Sequence, residues 1–276
     1  MSIAIVTDST SDLPDALLES AEIHSIPTIL IMDEQEMEDG CGISRQAFYE
    51  KLPRMKTPPT TASPSSGTFH SLYSRLLQSG IDQIISIHVS STLSGVLSAA
   101  QVAKQGFGRR VHLIDSGQVS LGLGFQALVA AESARATQSL ERVLEAINDV
   151  RRRIHLVAML DTMEYVRRSG RVNWARANIG ALLQIKPFLS VKDGNVLRLG
   201  EARTRHKGID RLCLMLSELG KLSRLAILHT NAPTDAQMLL EKFSPQSETE
   251  PLVVNVTSVI GTHVGPNGLG FVAVVK

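Results

Sequence analysis

The chain has 276 residues, 43% of them hydrophobic and 20% charged, a composition that suits one large or two ordinary domains. A net charge of +1 and an aromatic content of only 4% argue against a nucleic-acid partner, for want of both a global pull and base-stacking platforms. Cys41 and Cys213 stand far apart without metal-ligand spacing, as expected in a reducing cytoplasm. MSIAIVTDST lacks the features of a secretion signal, and no apolar run approaches the roughly 18 residues a membrane span needs.

In chain order, IAIVTD (3–8) predicts a strand, and residues 9–21 a turn and helix with Ser11 or Asp12 as cap and Pro14 near the first turn. Residues 24–32 predict a second strand, 33–44 an acidic loop, 45–55 a short helix stopped around Pro53, and 56–67 a loop rich in Pro, Thr and Ser. An amphipathic helix over 68–80 ends in Gly80. IDQIISIHV (81–89) predicts a buried strand, SSTLSG (90–95) a polar turn, and the next residues a helix. Another strand (109–116) and two helices (122–136 and 139–154) follow. Strands alternating with helices imply an α/β N-terminal domain, residues 1–150, with a mostly parallel sheet flanked by helices.

The pattern changes after about residue 150. A strand at 154–160, helices over 161–173 and 174–185, and a hairpin about Asp193-Gly194 come first. A helix over 205–221, a strand at 223–230 and a helix at 234–243 follow, then strands at 251–260 and 270–276 around the turn GTHVGPNGLG (261–270). These predict a C-terminal α+β domain, residues 151–276, with a mainly antiparallel sheet.

Four polar turns could carry chemistry: TDSTSD (7–12), TTASPSS (60–66), SSTLSG and GTHVGPNGLG. Two of them sit at the carboxyl ends of parallel strands and just before helices, where ligands bind α/β sheets and where backbone N–H groups face oxyanions. Ser and Thr are also favoured helix caps for purely local reasons, so capping is the competing explanation. A P-loop, a dinucleotide fingerprint, a zinc-ligand pattern and a G-x-S-x-G elbow are all absent. Asp8 could act as a nucleophile, and Asp8 or Ser94 with His263 would make a hydrolase or phosphotransferase; a Ser-His-Asp set assembled in space also stays open. His263 can hydrogen-bond an acid when neutral and hold a carboxylate when protonated. Charge is uneven: residues 151–207 carry thirteen Lys and Arg against four acidic residues, so an interaction module built on that face, with Arg203 and Arg205, is a third reading.

These turns resemble the DegV family. VTDSTSDLP looks like its opening motif, TASPS and SSTLSG like its two ligand-holding turns, and IDSGQVSLGLG like its third segment. DTMEYVRRSGRVN, LLQIKPFLSVKDGNV, EARTRHKG and GTHVGPNGLG are similar to its later signatures, and the resemblance runs in order over nearly the whole chain. It implies a non-catalytic, cytoplasmic lipid-binding protein that holds one long-chain fatty acid, such as palmitate, in a tunnel at the domain interface. It also implies a partner, an ATP-using fatty acid kinase subunit that makes acyl phosphate for phospholipid synthesis, with no further cofactor or metal. The positions that match the carboxylate site are Thr61, Ser94, Gly95 and His263, with Ser63, Ser65, Asp8 and Ser9 as secondary candidates. Arg203 matches an arginine important for the kinase, and Arg205 lies in the same basic cluster. Ala62-Ser63, Val96 and the added Asn267 depart from the family's usual pattern. Ile26, Leu30, Leu97, Phe125, Ile179, Leu182, Leu183 and Phe188 are candidate tunnel walls, each with ordinary core as the alternative.

Overall fold

A computed structural model describes residues 1–176 and 185–276. The N-terminal elements are β1 (Ile3–Asp8), α1 (Asp15–Ser20), β2 (Ile23–Ile26), β3 (Ile29–Met32), β4 (Gln35–Glu38), α2 (Arg45–Lys51), β5 (Thr60–Ala62) and α3 (Ser66–Gln78). Next come β6 (Gln83–His88), α4 (Val96–Lys104), β7 (Val111–Asp115), α5 (Leu121–Thr137) and α6 (Leu140–Arg153). The remainder holds β8 (Ile154–Met159), α7 (Glu164–Ser169), β9 (Lys186–Lys192), β10 (Asn195–Ala202), α8 (Arg205–Ser217) and β11 (Leu222–His229). It ends with α9 (Pro233–Phe243), β12 (Leu252–Asn255), α10 (Ser258–Val264) and β13 (Leu269–Val275).

The chain divides into two compact units, the first of residues 1–29 and 61–152, the second of residues 30–60 and 153–276. The first unit contains a four-stranded sheet of order β2-β1-β6-β7, parallel throughout. Its strands read as apolar runs because parallel strands are covered on both faces. Helix α5 packs on β1, β2 and β6, while α3 and α4 pack on β6 and β7 respectively. The first unit is thus an α/β layer, as the alternating pattern predicts.

The second unit holds a six-stranded sheet of order β10-β9-β8-β13-β11-β12, antiparallel except for the β11/β12 pair. Asp193 and Gly194 adopt φ of 49° and 80°, the left-handed pair that a tight β9–β10 turn needs. The core of this sheet includes Phe188, Leu212, Leu225, Leu239 and Phe271. The three strands β4, β3 and β5 make a separate small sheet.

Residues 30–60, which lie within the expected N-terminal domain, group with the second unit. The physical reason is a shared core: Leu30, Met32, Phe48, Tyr49 and Leu52 pack with Val259. Tyr49 Oη donates to Val256 O at 2.8 Å, and Arg45 Nη1 to Asn255 O at 2.6 Å.

Five local expectations change. The strand expected at 24–32 breaks at Pro27 into β2 and β3, and the acidic loop contains β4. Helix α1 begins at Asp15 after Pro14, without a side-chain cap; Asp12 instead adopts a left-handed φ of 57°. The strand expected over 251–260 stops at Asn255, and residues 258–264 form α10. Thr257 Oγ1 accepts Val259 N at 3.0 Å, so a local cap outweighs the β-branched composition. Of the helices expected over 161–185, α7 spans Glu164–Ser169 and residues 173–176 make one 3₁₀ turn; residues 177–184 lie outside the described residues.

Candidate functional site

Strands β1 and β6 run side by side in parallel, with Val6 opposite Ser86. The turns TDSTSD and SSTLSG therefore leave the sheet at the same carboxyl edge, where an α/β layer presents its ligands. The second turn is held by its own hydroxyls. Ser90 O accepts Leu93 N and Ser94 N at 2.9 and 3.1 Å, and Ser90 Oγ and Thr92 Oγ1 are 2.9 Å apart. Ser91 Oγ donates to Asp115 Oδ2 at 2.5 Å. Ser90, Ser91 and Thr92 thus shape the turn.

Ser94 is half-buried, and its Oγ accepts one long bond, Val96 N at 3.4 Å. Gly95 is the N-cap residue of α4 and has no side chain to cap it; the first N–H of that helix, Val96 N, reaches Ser94 Oγ instead. A Cβ on Gly95 would lie 3.1 Å from Ser63 Oγ. The turn carrying Thr61 and Ser63 and the turn carrying Ser94 and Gly95 therefore meet within the first unit. Thr61 and Ser63 are half-buried. Ser65 caps α3, accepting Thr68 N at 3.1 Å.

Asp8 lies in the same region but is wholly enclosed. Its Oδ1 accepts Thr10 N at 3.1 Å and Thr10 Oγ1; its Oδ2 accepts Val89 N at 3.1 Å and faces His88 Nδ1 at 2.9 Å. With both oxygens occupied and no exposure, Asp8 is not placed to attack a substrate. Ser9 is likewise engaged: its Oγ accepts Thr28 N at 3.1 Å and lies 2.8 Å from Thr28 Oγ1.

Beyond His88 the chain of contacts continues. His88 Nε2 is 2.7 Å from Ser86 Oγ, which is 2.8 Å from Tyr73 Oη. Ser86, His88 and Asp8 thus have the connectivity of a Ser-His-Asp triad. Ser86 is fully buried, however, and its oxygen is enclosed between His88 and Tyr73, so this triad cannot meet a substrate. Burial pushes the Tyr73 phenol up to about 12, with the Ser86 hydrogen bond opposing; it remains a hydroxyl donor. The sequence did carry a trace of this group: Ser86 and His88, two apart, put two polar side chains on one face of an apolar strand.

A second buried tie holds the opening turn. Ser120 Oγ donates to Asp12 Oδ2 at 2.6 Å. Ser120, the N-cap of α5, has φ 53° and ψ −146°, a conformation costly for a residue with a Cβ.

In the second unit, His263 lies in the last turn of α10, not in an open loop. Burial, and next the Arg171 charge, hold its imidazole down at about 4, so it is neutral near pH 7. Arg203 is exposed. Arg205 is engaged by Asp235 Oδ2 at 2.5 Å, Asn267 O at 2.7 Å and Asp161 at 3.9 Å. These residues line a polar cleft of about 320 Å³ with Asn231 and Thr234.

Among the candidate apolar walls, Ile26, Leu30 and Phe125 are buried and Leu97 is half-buried. Phe188 belongs to the six-stranded sheet's core and has the Arg211 guanidinium 5.0 Å above its ring. Ile179, Leu182 and Leu183 lie outside the described residues. Among the described residues no helix is long and apolar enough to cross a membrane.

Residues 2–276 match the model of the DegV family, described as uncharacterised proteins. A DegV domain-containing protein of Streptomyces coelicolor is 34% identical over 274 residues, covering 98% of this chain and 97% of the relative. The protein DegV of Bacillus subtilis is 33% identical, covering 98% of both. A solved DegV family structure from Thermus thermophilus, described for its fatty acid binding, has TM-score 0.92 at 32% identity with both chains fully covered. The solved Bacillus subtilis DegV, described as a fatty acid binding protein, has TM-score 0.88 at 31% identity, again with full coverage.

Proposed function

Because this chain belongs to the DegV family, we propose that it binds one long-chain fatty acid and presents the carboxylate to a separate ATP-using kinase subunit for acyl-phosphate formation. Thr61, Ser94 and the Gly95 backbone take the carboxylate, with Ser63 beside them. The observation that carries this reading is the meeting of two hydroxyl-bearing turns at Ser63 and Gly95, at the start of α4.

Neutral hydroxyls and amides suit an acid that must later be released. They hold carboxyl oxygens without the desolvation cost of a buried cation. The tail can supply most of the affinity, at about 0.8 kcal/mol per buried CH₂. His263, the fourth candidate of the same reading, is neutral by virtue of its burial. Exposed Arg203, two residues before Arg205, is the proposed contact for the kinase. Cys41 and Cys213 are both free, which supports a reducing, cytoplasmic setting.

Mass spectrometry of the purified and then denatured protein tests the lipid reading. A co-purified long-chain fatty acid is expected, reduced in Thr61→Ala and Ser94→Ala. No bound or added fatty acid, with both substitutions silent, would overturn it.

A further inference from the structure

The four-member polar chain Tyr73, Ser86, His88 and Asp8 serves no chemistry that the enclosed Ser86 could perform, yet it is costly to bury. An apolar set of similar volume at such a place is often as stable or more so. Its value therefore lies in what it fixes.

The chain ties together the two elements that adjoin the proposed ligand-holding turns, with Tyr73 on α3 and Ser86 and His88 on β6. Helix α3 follows directly on the turn that carries Thr61 and Ser63, is capped by Ser65 from that turn, and bears Tyr73. Strand β6 bears Ser86 and His88 and runs directly into the turn that carries Ser94 and Gly95. Apolar packing between α3 and β6 is non-directional and would tolerate sliding. Hydrogen bonds of 2.7–2.9 Å through Tyr73, Ser86, His88 and Asp8 do not. The Phe69 ring adds an edge-on contact to His88, 5.2 Å between centroids, from the helical turn before Tyr73.

One order of donors satisfies all four groups. Asp8 Oδ2 can only accept, so His88 Nδ1 carries a hydrogen toward it. Ser86 then donates to His88 Nε2, and Tyr73 donates to Ser86 Oγ. This order uses every hydrogen; the reverse would leave the buried Tyr73 hydroxyl without an acceptor in the chain. Asp8 completes the frame by accepting Val89 N, which fixes the point where β6 enters its turn.

We propose that Tyr73, Ser86, His88 and Asp8 are positioning residues that set the spacing between the Thr61 turn and the Ser94 turn, and so the fit of the clamp to a carboxylate. This rests on the fatty-acid reading above. The relay acts on the head group alone, so its loss should separate ligands that share a tail and differ in the head.

The test measures binding of a C16 fatty acid and the C16 alcohol to the wild-type chain, Tyr73→Phe, Ser86→Ala and the double variant, with thermal midpoints recorded alongside. Tyr73→Phe should weaken the acid about tenfold, the loss of roughly one hydrogen bond's worth of alignment. The alcohol should stay within about twofold, because tail burial supplies its affinity. The double variant should lose no more than the worse single one, since both cut one chain. If Tyr73→Phe folds poorly, Ser86→Ala examines the same link from the strand side. Equal losses for acid and alcohol, or no loss for either, would overturn the relay while leaving the lipid reading intact. A wild-type chain that binds neither ligand would overturn both.

Discussion

Ser63 and Gly95 sit on different turns of the first unit, yet a methyl placed on Gly95 would come within 3.1 Å of the Ser63 hydroxyl. That contact is tight but made with the end of a flexible side chain, and the Gly95 φ of −80° is open to any L-residue. Gly95→Ala should therefore fold with stability within about 0.5 kcal/mol of wild type. The added methyl would occupy the head site, so fatty-acid affinity should fall several-fold. Thermal melts and displacement of a fluorescent fatty acid check both halves; unchanged affinity removes Gly95 from the site.

Thr61→Ala and Ser94→Ala each delete a hydroxyl proposed to face the carboxylate. Each should cost about 1 kcal/mol of binding, or roughly fivefold in Kd. Isothermal titration with a long-chain fatty acid measures this. Identical affinities would place the head group elsewhere.

Gly261 sets helix propensity against packing. Within a helix Gly→Ala ordinarily stabilises by roughly 1 kcal/mol. Here the new methyl would lie 2.7 Å from Cε1 and Cζ of the buried Tyr49 ring, whose hydroxyl is tied to Val256 O. Gly261→Ala should instead destabilise by about 1–3 kcal/mol, read from urea unfolding. A stabilised variant would show that Tyr49 can move aside.

The imidazole of His263 has an ordinary pKa of 6.5 in the unfolded chain and about 4 in the folded one, through burial and the Arg171 charge. Between those values the unfolded chain binds the extra proton, so this group makes stability rise with pH. Stability should thus fall from about pH 6.5 to about pH 4, and the fall should be shallower in His263→Asn. Unfolding midpoints from pH 7.5 to 4 test this. Parallel curves for both proteins would contradict it.

Arg203 and Arg205 should separate by role. Arg205→Ala removes a guanidinium held by Asp235 and Asn267 O and should cost about 1–2 kcal/mol of stability. Exposed Arg203→Ala should change stability by less than about 0.5 kcal/mol. It should keep lipid binding while lowering acyl-phosphate formation with the proposed partner kinase. Equal loss of lipid binding and phosphorylation would assign Arg203 to the ligand site.

Much of this fold was legible in the sequence because its signals are local. Apolar strands alternating with helices gave the parallel layer, and Asp193-Gly194 marked the β9–β10 hairpin through its left-handed preference. The polar turns were visible as hydroxyl-rich breaks after strands, and their order carried the family resemblance.

Tertiary structure decided the rest, because partners distant in sequence compete with local preference. Residues 30–60 group with the second unit through the core that Phe48 and Tyr49 share with Val259. Thr257 capping and the close fit of Gly261 to Tyr49 make a helix of a stretch whose valines and isoleucine favour a strand. The clearest case is Asp8. Its position at the end of a strand left a nucleophile, a ligand contact and a turn or cap residue all open. Only the fold brings His88 to it across 80 residues and sets Ser86 and Tyr73 beyond. Periodicity and caps are written in neighbouring residues, whereas the choice of a buried acceptor's donors is made by whichever distant groups the packed chain delivers.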